Sequence, residues 1–123
     1  MPATLEGDIG IPTIVRMCGK SCAALDMLGD AGVTAVEPLE GPPGGAVTLA
    51  EVRRRYPKLV LKGNVNTFEA LVRGTPEMVL AEARQCIRDA GPLDFIISTG
   101  DQVDSNTPVD NLRVLVRVVG TVQ

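Results

Sequence analysis

A repeated local pattern sets the strongest limit on the fold of this sequence. Four times along 123 residues, a short run rich in β-branched residues is followed by a loop and then by a helical pattern. The runs cover residues 13–17, 33–39, 59–62 and 95–98. Strands that alternate with helices are typical of a parallel sheet, and runs that are apolar on both sides of the pleat indicate strands covered on both faces. The sequence therefore predicts an α/β fold built from four βα units.

Short polar motifs mark where the helices begin. Ser21 is predicted to cap the first helix, and Thr48–Glu51 has the form of a capping box for the second. Thr75–Pro76 and Thr107–Pro108 each place a capping hydroxyl and a first-turn proline before a helix. Residues 114–119 are rich in β-branched residues, which favour strands, but the apolar positions after the Thr107–Pro108 start keep helical spacing. We therefore predict a helix there.

The number of units suggests an incomplete barrel. A (βα)8 barrel has eight units and typically needs about 250 residues, so four parallel units correspond to one half of it. The length fits a single domain over residues 1–123. A half barrel leaves two strand edges and its inner face to be covered. Homodimerisation into an eight-stranded barrel would supply that cover, and an open four-stranded sheet is the alternative.

Composition excludes several classes of function. The sequence contains no His, which removes imidazole as a general base and as a metal ligand. A net charge of -3 and an aromatic content of 2% argue against a nucleic-acid partner, which requires a basic face and stacking rings. No apolar run reaches the length of a membrane span. The three cysteines form no Cys-x-x-Cys pair, so a reduced, cytoplasmic setting is predicted.

Polar residues follow the carboxyl end of every predicted strand. In parallel α/β proteins, functional groups gather at these strand ends because all of them open onto the same side of the sheet. The candidates there are Arg16, Cys18, Lys20, Glu37, Glu40, Asn64, Asn66, Thr99, Asp101 and Asp104.

Acidic residues and one thiol supply the candidate reactive groups. A Cys18 thiolate could act as a soft metal ligand, with oxygen ligands from Glu37 or Asp101, or it could be a small thiol packed under the loop. Glu37 and Glu40 could form an acid/base pair, or one could cap a loop while the other is solvated.

The basic residues and the other two cysteines can be interpreted in terms of ion pairing, packing and exposure. Arg16 and Lys20 could hold a substrate carboxylate, or could pair with Glu37. Cys22 and Cys86 are predicted to be helix residues that face the core. The run of residues 53–55, which is three arginines, is predicted to be a solvated helix face.

Segments at the strand ends resemble a known superfamily. Residues 12–19, 37–43, 63–66 and 98–101, together with 106–112, resemble the C-terminal half of uroporphyrinogen decarboxylase superfamily proteins. That superfamily includes the decarboxylase of haem synthesis and cobalamin-dependent methyltransferases. The resemblance implies a (βα)8 barrel and covers nearly the whole chain in order.

The resemblance also implies site residues. The zinc-dependent methyltransferases usually have His-x-Cys-Gly in the first segment and a second cysteine after the last strand. Here Cys18 matches the first cysteine, Arg16 occupies the histidine position and Asp101 the second cysteine position. Residues 63–66 follow the decarboxylase pattern Gly-Asn-x-Asp, with Asn66 in the position of the final Asp. By resemblance, zinc or a corrinoid could be a cofactor. From their strand-end positions together with this resemblance, the candidate catalytic residues are Cys18, Glu37 and Asp101, which are also the candidate metal ligands. The candidate substrate-binding residues are Arg16, Lys20, Asn64 and Asn66.

Three functional hypotheses follow. The first is half of a decarboxylase-like or methyltransferase-like enzyme that acts on a small anionic or methylated molecule when another half completes the barrel. That other half would be a second copy or a complementary N-terminal half barrel. The second is a non-catalytic homodimeric module for small-molecule binding or assembly. The third is a truncated gene product. No nucleic-acid or membrane partner is expected.

Overall fold

A computed structural model describes Gly7 and residues 10–121. Strands and helices alternate along the chain, as predicted. In order, the elements are β1 (Ile14–Arg16), α1 (Cys22–Asp30), β2 (Ala35–Glu37), α2 (Leu49–Arg55), β3 (Val60–Val65), a π-helical turn (Thr67–Val72), α3 (Pro76–Ala90), β4 (Phe95–Thr99) and α4 (Val109–Val119).

The four strands form one parallel sheet in the order β1-β2-β3-β4. This confirms the predicted α/β architecture of four βα units, with the strand order of half a (βα)8 barrel. The helical prediction for residues 114–119 is also confirmed, because these residues belong to α4. All four strand ends therefore open onto one side of the sheet.

The two faces of the sheet differ in burial. In β3, buried Leu61, Gly63 and Val65 alternate with half-buried residues. The buried side packs with the helices in one aliphatic core. The other side, which we call the inner face, carries Ile14 of β1 and Ile96 of β4, which are 57% and 48% exposed. The prediction that the strands are covered on both faces is therefore wrong for these edge strands.

Two of the four predicted helix starts are capped as expected. The Thr48 hydroxyl accepts from the Glu51 backbone N–H, and the Glu51 carboxylate accepts from the Thr48 backbone N–H at 2.9 Å, which completes the capping box. The Thr75 hydroxyl accepts from the Met78 backbone N–H, and Pro76 is the first residue of α3.

The other two starts differ from the prediction. Ser21 precedes α1 but has helical backbone angles, and its buried Oγ makes no hydrogen bond with the described residues. An N-cap hydroxyl reaches the first turn from an extended backbone, so Ser21 cannot act in that way. At α4, Pro108 itself takes the extended cap position and the helix starts at Val109, so Thr107 lies too far back to cap it.

Of the three arginines of α2, Arg53 departs from the prediction of a solvated face, whereas Arg54 and Arg55 are exposed as predicted. Arg55 is exposed and pairs with Asp26 at 2.8 Å. Arg53 is half-buried, and its guanidinium donates to five backbone carbonyls. Those carbonyls belong to Pro57, Leu59, Ala90, Leu93 and Asp94. A run of three arginines in the sequence does not indicate that one of them binds backbone carbonyls of other parts of the fold.

Among the helices within residues 10–121, none combines the length and apolar character that crossing a membrane requires.

Candidate functional site

Three charged side chains lie side by side on the inner face. Arg16 is in register with Glu37, and Lys62 occupies the next strand. Arg16 Nη1 lies 3.0 Å from Glu37 Oε1, and Lys62 Nζ contacts Glu37 Oε2. We call these residues the inner-face ladder. Glu37 is its centre, because one carboxylate is shared by two cations.

A fourth charge joins the ladder from the opposite edge of the sheet. Arg16 Nη2 lies 2.8 Å from Asp101 Oδ1, so this guanidinium links the end of β1 to the loop after β4. The Asp101 backbone N–H donates to the Thr67 hydroxyl at 3.1 Å, and the Thr99 hydroxyl donates to the Asp101 carbonyl. Cys18 Sγ lies 3.8 Å from Asp101 Oδ1. The strand ends therefore bring Arg16, Cys18, Glu37 and Asp101 together, as predicted for functional groups.

The cations determine the protonation of Glu37. Its pKa is lowered, chiefly by the hydrogen bond from Lys62 and then by Arg16, against the opposing effect of partial burial. Its side chain is 19% exposed, compared with 44% for Arg16 and 38% for Asp101. Glu37 is therefore an anion at neutral pH, and its chemistry suits holding cations better than donating a proton.

We expect Glu37→Gln to lower stability only where the carboxylate is charged. A pKa that is lower in the folded state contributes stability above the ordinary glutamate pKa, and that contribution disappears as pH falls through the folded-state value. Urea unfolding should give the variant a lower midpoint than the parent at neutral pH, and the gap should close as the pH falls below the ordinary glutamate pKa. Glu69→Gln, in an exposed pair with Arg73, is the matched control and should change the midpoint less. A gap for Glu37→Gln that is independent of pH would contradict the role of the ladder.

Glu40 and Lys20 occupy separate positions. The Glu40 carboxylate accepts from the Gly19 backbone N–H, so Glu40 caps the loop after β1, as one of the two sequence readings predicted. The same interpretation left the other glutamate, Glu37, solvated, and this part is wrong, because Glu37 is bound by Arg16 and Lys62. Lys20 is exposed on the same loop. The two glutamates thus bind different groups and share no contact that would indicate an acid/base pair.

The two predicted substrate-binding asparagines are engaged in local structure. Asn64 Nδ2 donates to the Leu39 carbonyl at 2.6 Å, and the Cys86 thiol donates to Asn64 Oδ1 at 3.3 Å. Asn66 Oδ1 accepts from the Phe68 and Glu69 backbone N–H groups and begins the π-helical turn. Both amides therefore hold the strand end in shape.

The remaining cysteines lie against the core, as predicted. Cys86 is 6% exposed, and burial raises the pKa of its thiol to about 11. It is therefore a neutral thiol at physiological pH. Cys22 is partly buried and packs against the same aliphatic cluster.

An open cavity of about 220 Å³ lies at the strand ends beside Asp101. Glu40, Asn66, Phe68 and Glu69 are among the residues that line it. Phe68 belongs to the π-helical turn and is 53% exposed. The cavity is large enough for a small organic molecule and is far smaller than a corrinoid requires.

The donor set does not fit a zinc ion. The guanidinium of Arg16 already joins the Glu37 and Asp101 carboxylates, so a cation occupies the position between two of the three predicted ligands. Across the described part of the chain, no three His, Cys, Asp or Glu side chains are grouped to hold a metal. Zinc sites favour thiolate and imidazole, and Cys18 is the single such ligand in the predicted set.

Sequence reasoning missed Lys62 and Thr67. Lys62 was assigned to an apolar strand run, although a charged residue in a strand covered on both faces is itself a signal of an inner-face role. Thr67 lies just beyond the carboxyl end of β3 and was not among the candidate side chains. Its contact with Asp101 crosses 34 positions of the sequence, so no local pattern indicates it.

Comparison with known proteins agrees with the resemblance seen in the sequence. The family model for uroporphyrinogen decarboxylase (URO-D) matches residues 2–122. A uroporphyrinogen decarboxylase of Anaeromyxobacter dehalogenans (strain 2CP-C) is 28% identical over 111 residues, which are 89% of this chain and 30% of that protein. A solved structure of a methyltransferase from Methanosarcina mazei superposes with a TM-score of 0.76 at 21% identity, covering 92% of this chain and 32% of that one, and so shares its fold.

These matches set both the family and its limits. The chain spans less than a third of the length of either relative. The family model, however, extends over nearly all of the 123 residues. This chain therefore belongs to the uroporphyrinogen decarboxylase family.

Proposed function

We propose that this chain forms the mouth of the barrel in a uroporphyrinogen decarboxylase family protein, which is the side onto which the strand ends open. We propose that it binds a small carboxylate there through Arg16. The chain spans only about 30% of a relative in the same family, so catalysis on such a ligand would need further barrel strands. Three unpaired cysteines are consistent with action in the reducing cytoplasm.

The observation that carries this proposal is that the two carboxylates bound by Arg16 differ in burial and in number of contacts. Glu37 is the more buried of the two and is held by Lys62 as well. Asp101 is twice as exposed and makes a single contact with Nη2. Exposed ion pairs contribute little to stability, so a ligand carboxylate could displace Asp101 at small cost. Guanidinium and carboxylate groups match in geometry, which favours such an exchange.

Within this proposal, the other strand-end residues take supporting roles. Glu37 is a positioning residue, because it stays bound to the Arg16 guanidinium and orients it when a ligand replaces Asp101. The exposed Cys18 thiol lies beside Asp101, where the reacting part of a ligand would sit. Lys20, exposed on the adjoining loop, could meet a second anionic group. Asn64 and Asn66 would maintain the shape of the mouth.

A non-catalytic binding module is the second candidate, and one observation favours it. Arg16, Glu37, Lys62 and Asp101 neutralise one another, and the lowered pKa of Glu37 removes it as a proton donor at neutral pH. A site of this kind can hold a ligand without transforming it. Both candidates require the same Arg16 contact.

Titration with succinate at low ionic strength tests the Arg16 contact. Arg16→Gln should weaken binding by about tenfold, because a charge-assisted hydrogen-bond pair is lost. Asp101→Asn should strengthen binding several-fold, because it removes the competing carboxylate. Arg113→Gln is the matched control, since Arg113 pairs with Asp110 in an exposed contact on α4. Succinate binding that survives Arg16→Gln unchanged would refute the proposal.

A further inference from the structure

The backbone around Asp101 is held by three hydrogen bonds, although the side chain of Asp101 is 38% exposed. The Asp101 backbone N–H donates to the Thr67 hydroxyl at 3.1 Å, and the Thr99 hydroxyl donates to the Asp101 carbonyl. One residue earlier, the Gly100 backbone N–H donates to the Val65 carbonyl at 2.7 Å and continues the pairing of β4 with β3. The exposed carboxylate therefore extends from a fixed point of the chain.

The loop that carries Asp101 also lies in close contact with the end of β3. A Cβ atom at Gly100 would lie 3.2 Å from the Val65 carbonyl oxygen and 3.4 Å from the Asn64 carbonyl oxygen. A backbone that approaches another backbone so closely has no room to shift toward it. Packing and hydrogen bonds thus restrain the same residue.

Thr67 is the buried partner of Asp101. It is 4% exposed and begins the π-helical turn after β3. That turn is itself attached to α4, because Asn111 Nδ2 donates to the carbonyls of Leu71 in the turn and of Gly74 just after it, both at 2.9 Å. The Thr67 hydroxyl therefore belongs to an anchored element, and its hydrogen bond restrains Asp101 relative to the rest of the fold.

We propose that Thr67 and Thr99, which we call the hydroxyl clamp, are positioning residues that set how strongly Asp101 competes with a ligand carboxylate for Arg16. The inference rests on the proposed function, in which a ligand takes the place of Asp101. A side chain on a fixed backbone loses less conformational freedom when it binds than one on a mobile loop. The hydroxyl clamp therefore favours the Arg16–Asp101 pair, in which Nη2 and Oδ1 lie 2.8 Å apart.

The direction of the expected effect distinguishes this role from a merely structural one. Without the Thr67 acceptor, the Asp101 carboxylate should occupy Arg16 for a smaller fraction of the time. A free carboxylate would then meet a weaker competitor, so its binding should become stronger. Damage to the shape of a binding site weakens binding instead.

Succinate titration of threonine variants at low ionic strength tests this direction. Thr67→Val keeps the shape of the side chain but removes the acceptor, and it should strengthen binding about threefold. Thr67→Ser keeps the hydroxyl and should retain the parent affinity. Thr99→Val removes the other half of the hydroxyl clamp and should also strengthen binding, which keeps the proposal testable if Thr67→Val does not fold. Unchanged or weaker binding by the folded valine variants would overturn the proposal.

Thr34→Val is the matched control. The Thr34 hydroxyl accepts from the Thr13 backbone N–H at 2.8 Å, which is the same kind of contact, but it lies just before β2, at the opposite end of the sheet from the mouth. Thr34→Val should lower the urea midpoint, as Thr67→Val should, and should leave succinate affinity unchanged. Stronger succinate binding by Thr34→Val would show that a general loss of stability causes the effect, and would refute the hydroxyl clamp.

A double-mutant cycle shows whether Thr67 acts through Asp101. Asp101→Asn removes the competing charge, so the addition of Thr67→Val should change succinate affinity no further. If the two effects simply multiplied, Thr67 would act by another route and the proposal would be overturned.

The same titrations separate this inference from the proposed function. Succinate binding that is weakened by Arg16→Gln but is unaffected by Thr67→Val and Thr99→Val would refute the hydroxyl clamp alone. A parent chain that binds no succinate, or whose binding survives Arg16→Gln unchanged, would refute the proposed function and the role of the hydroxyl clamp with it.

Discussion

Arg53→Ala should lower the free energy of unfolding by about 3 kcal/mol, the largest effect that we expect from a single substitution here. The Arg53 guanidinium joins α2 to the Ala90 carbonyl at the end of α3 and to the carbonyls of Leu93 and Asp94 ahead of β4. It also binds the carbonyls of Pro57 and Leu59 ahead of β3. Truncation would leave these acceptors without their donor, and water could replace it only for the exposed ones. Urea unfolding followed by circular dichroism measures the change.

Two further substitutions show whether geometry or charge is responsible. Arg53→Lys keeps the charge but presents a single ammonium, so it should recover only part of the lost stability. Arg54→Ala removes an exposed arginine from the adjacent position of α2 and should change the unfolding free energy by less than about 0.5 kcal/mol. Full recovery by Arg53→Lys would show that the carbonyl contacts are unimportant.

Asn111→Ala should cost about 2–3 kcal/mol of unfolding free energy. Asn111 is 1% exposed, and its Nδ2 donates to the carbonyls of Leu71 and Gly74, both at 2.9 Å. These bonds attach α4 to the end of the π-helical turn. The variant leaves both carbonyls without this donor and opens a small cavity, and buried unpaired groups are costly. Denaturant unfolding at neutral pH gives the value.

The same variant has a consequence at the mouth. Thr67, at the start of the π-helical turn, accepts from the Asp101 backbone N–H, so loosening the turn should also loosen Asp101. Asn106→Ala is the matched control, because Asn106 is an exposed loop residue, and it should change stability by less than about 0.5 kcal/mol. Equal unfolding free energies for Asn111→Ala and Asn106→Ala would show that the buried hydrogen bonds of Asn111 do not stabilise the fold.

The site was only partly predictable from the sequence. The general rule that parallel strands end on one side pointed to Arg16, Glu37 and Asp101, and these three form the ion-pair cluster. The pairing of Arg16 with Glu37 was one of the two alternatives that the sequence offered, and it forms. The second contact of Arg16, with Asp101 after β4, was not predictable, because it joins residues that are distant in the sequence. Lys62 was missed for the same reason, since its partner Glu37 is 25 positions away in the sequence.

Local order was determined by the sequence itself. The capping box at Thr48 and the Thr75–Pro76 start depend on neighbours three positions away, and both form as predicted. The alternation of β-branched runs with helical spacing likewise determined the four βα units. Each of these signals acts within one turn of helix or one strand, where chain connectivity already places the interacting groups together.

Tertiary structure decided which polar groups meet. Ser21 and Thr107 have the residue types of caps but are buried by their surroundings with no capping bond. Arg53, placed on a charged helix, binds carbonyls of two separate loops and of the last residue of α3. Long-range packing determines burial, and burial determines whether a polar group must find a partner. Sequence therefore determined where this protein forms strands and helices, and only the folded sheet determined which charges share its inner face.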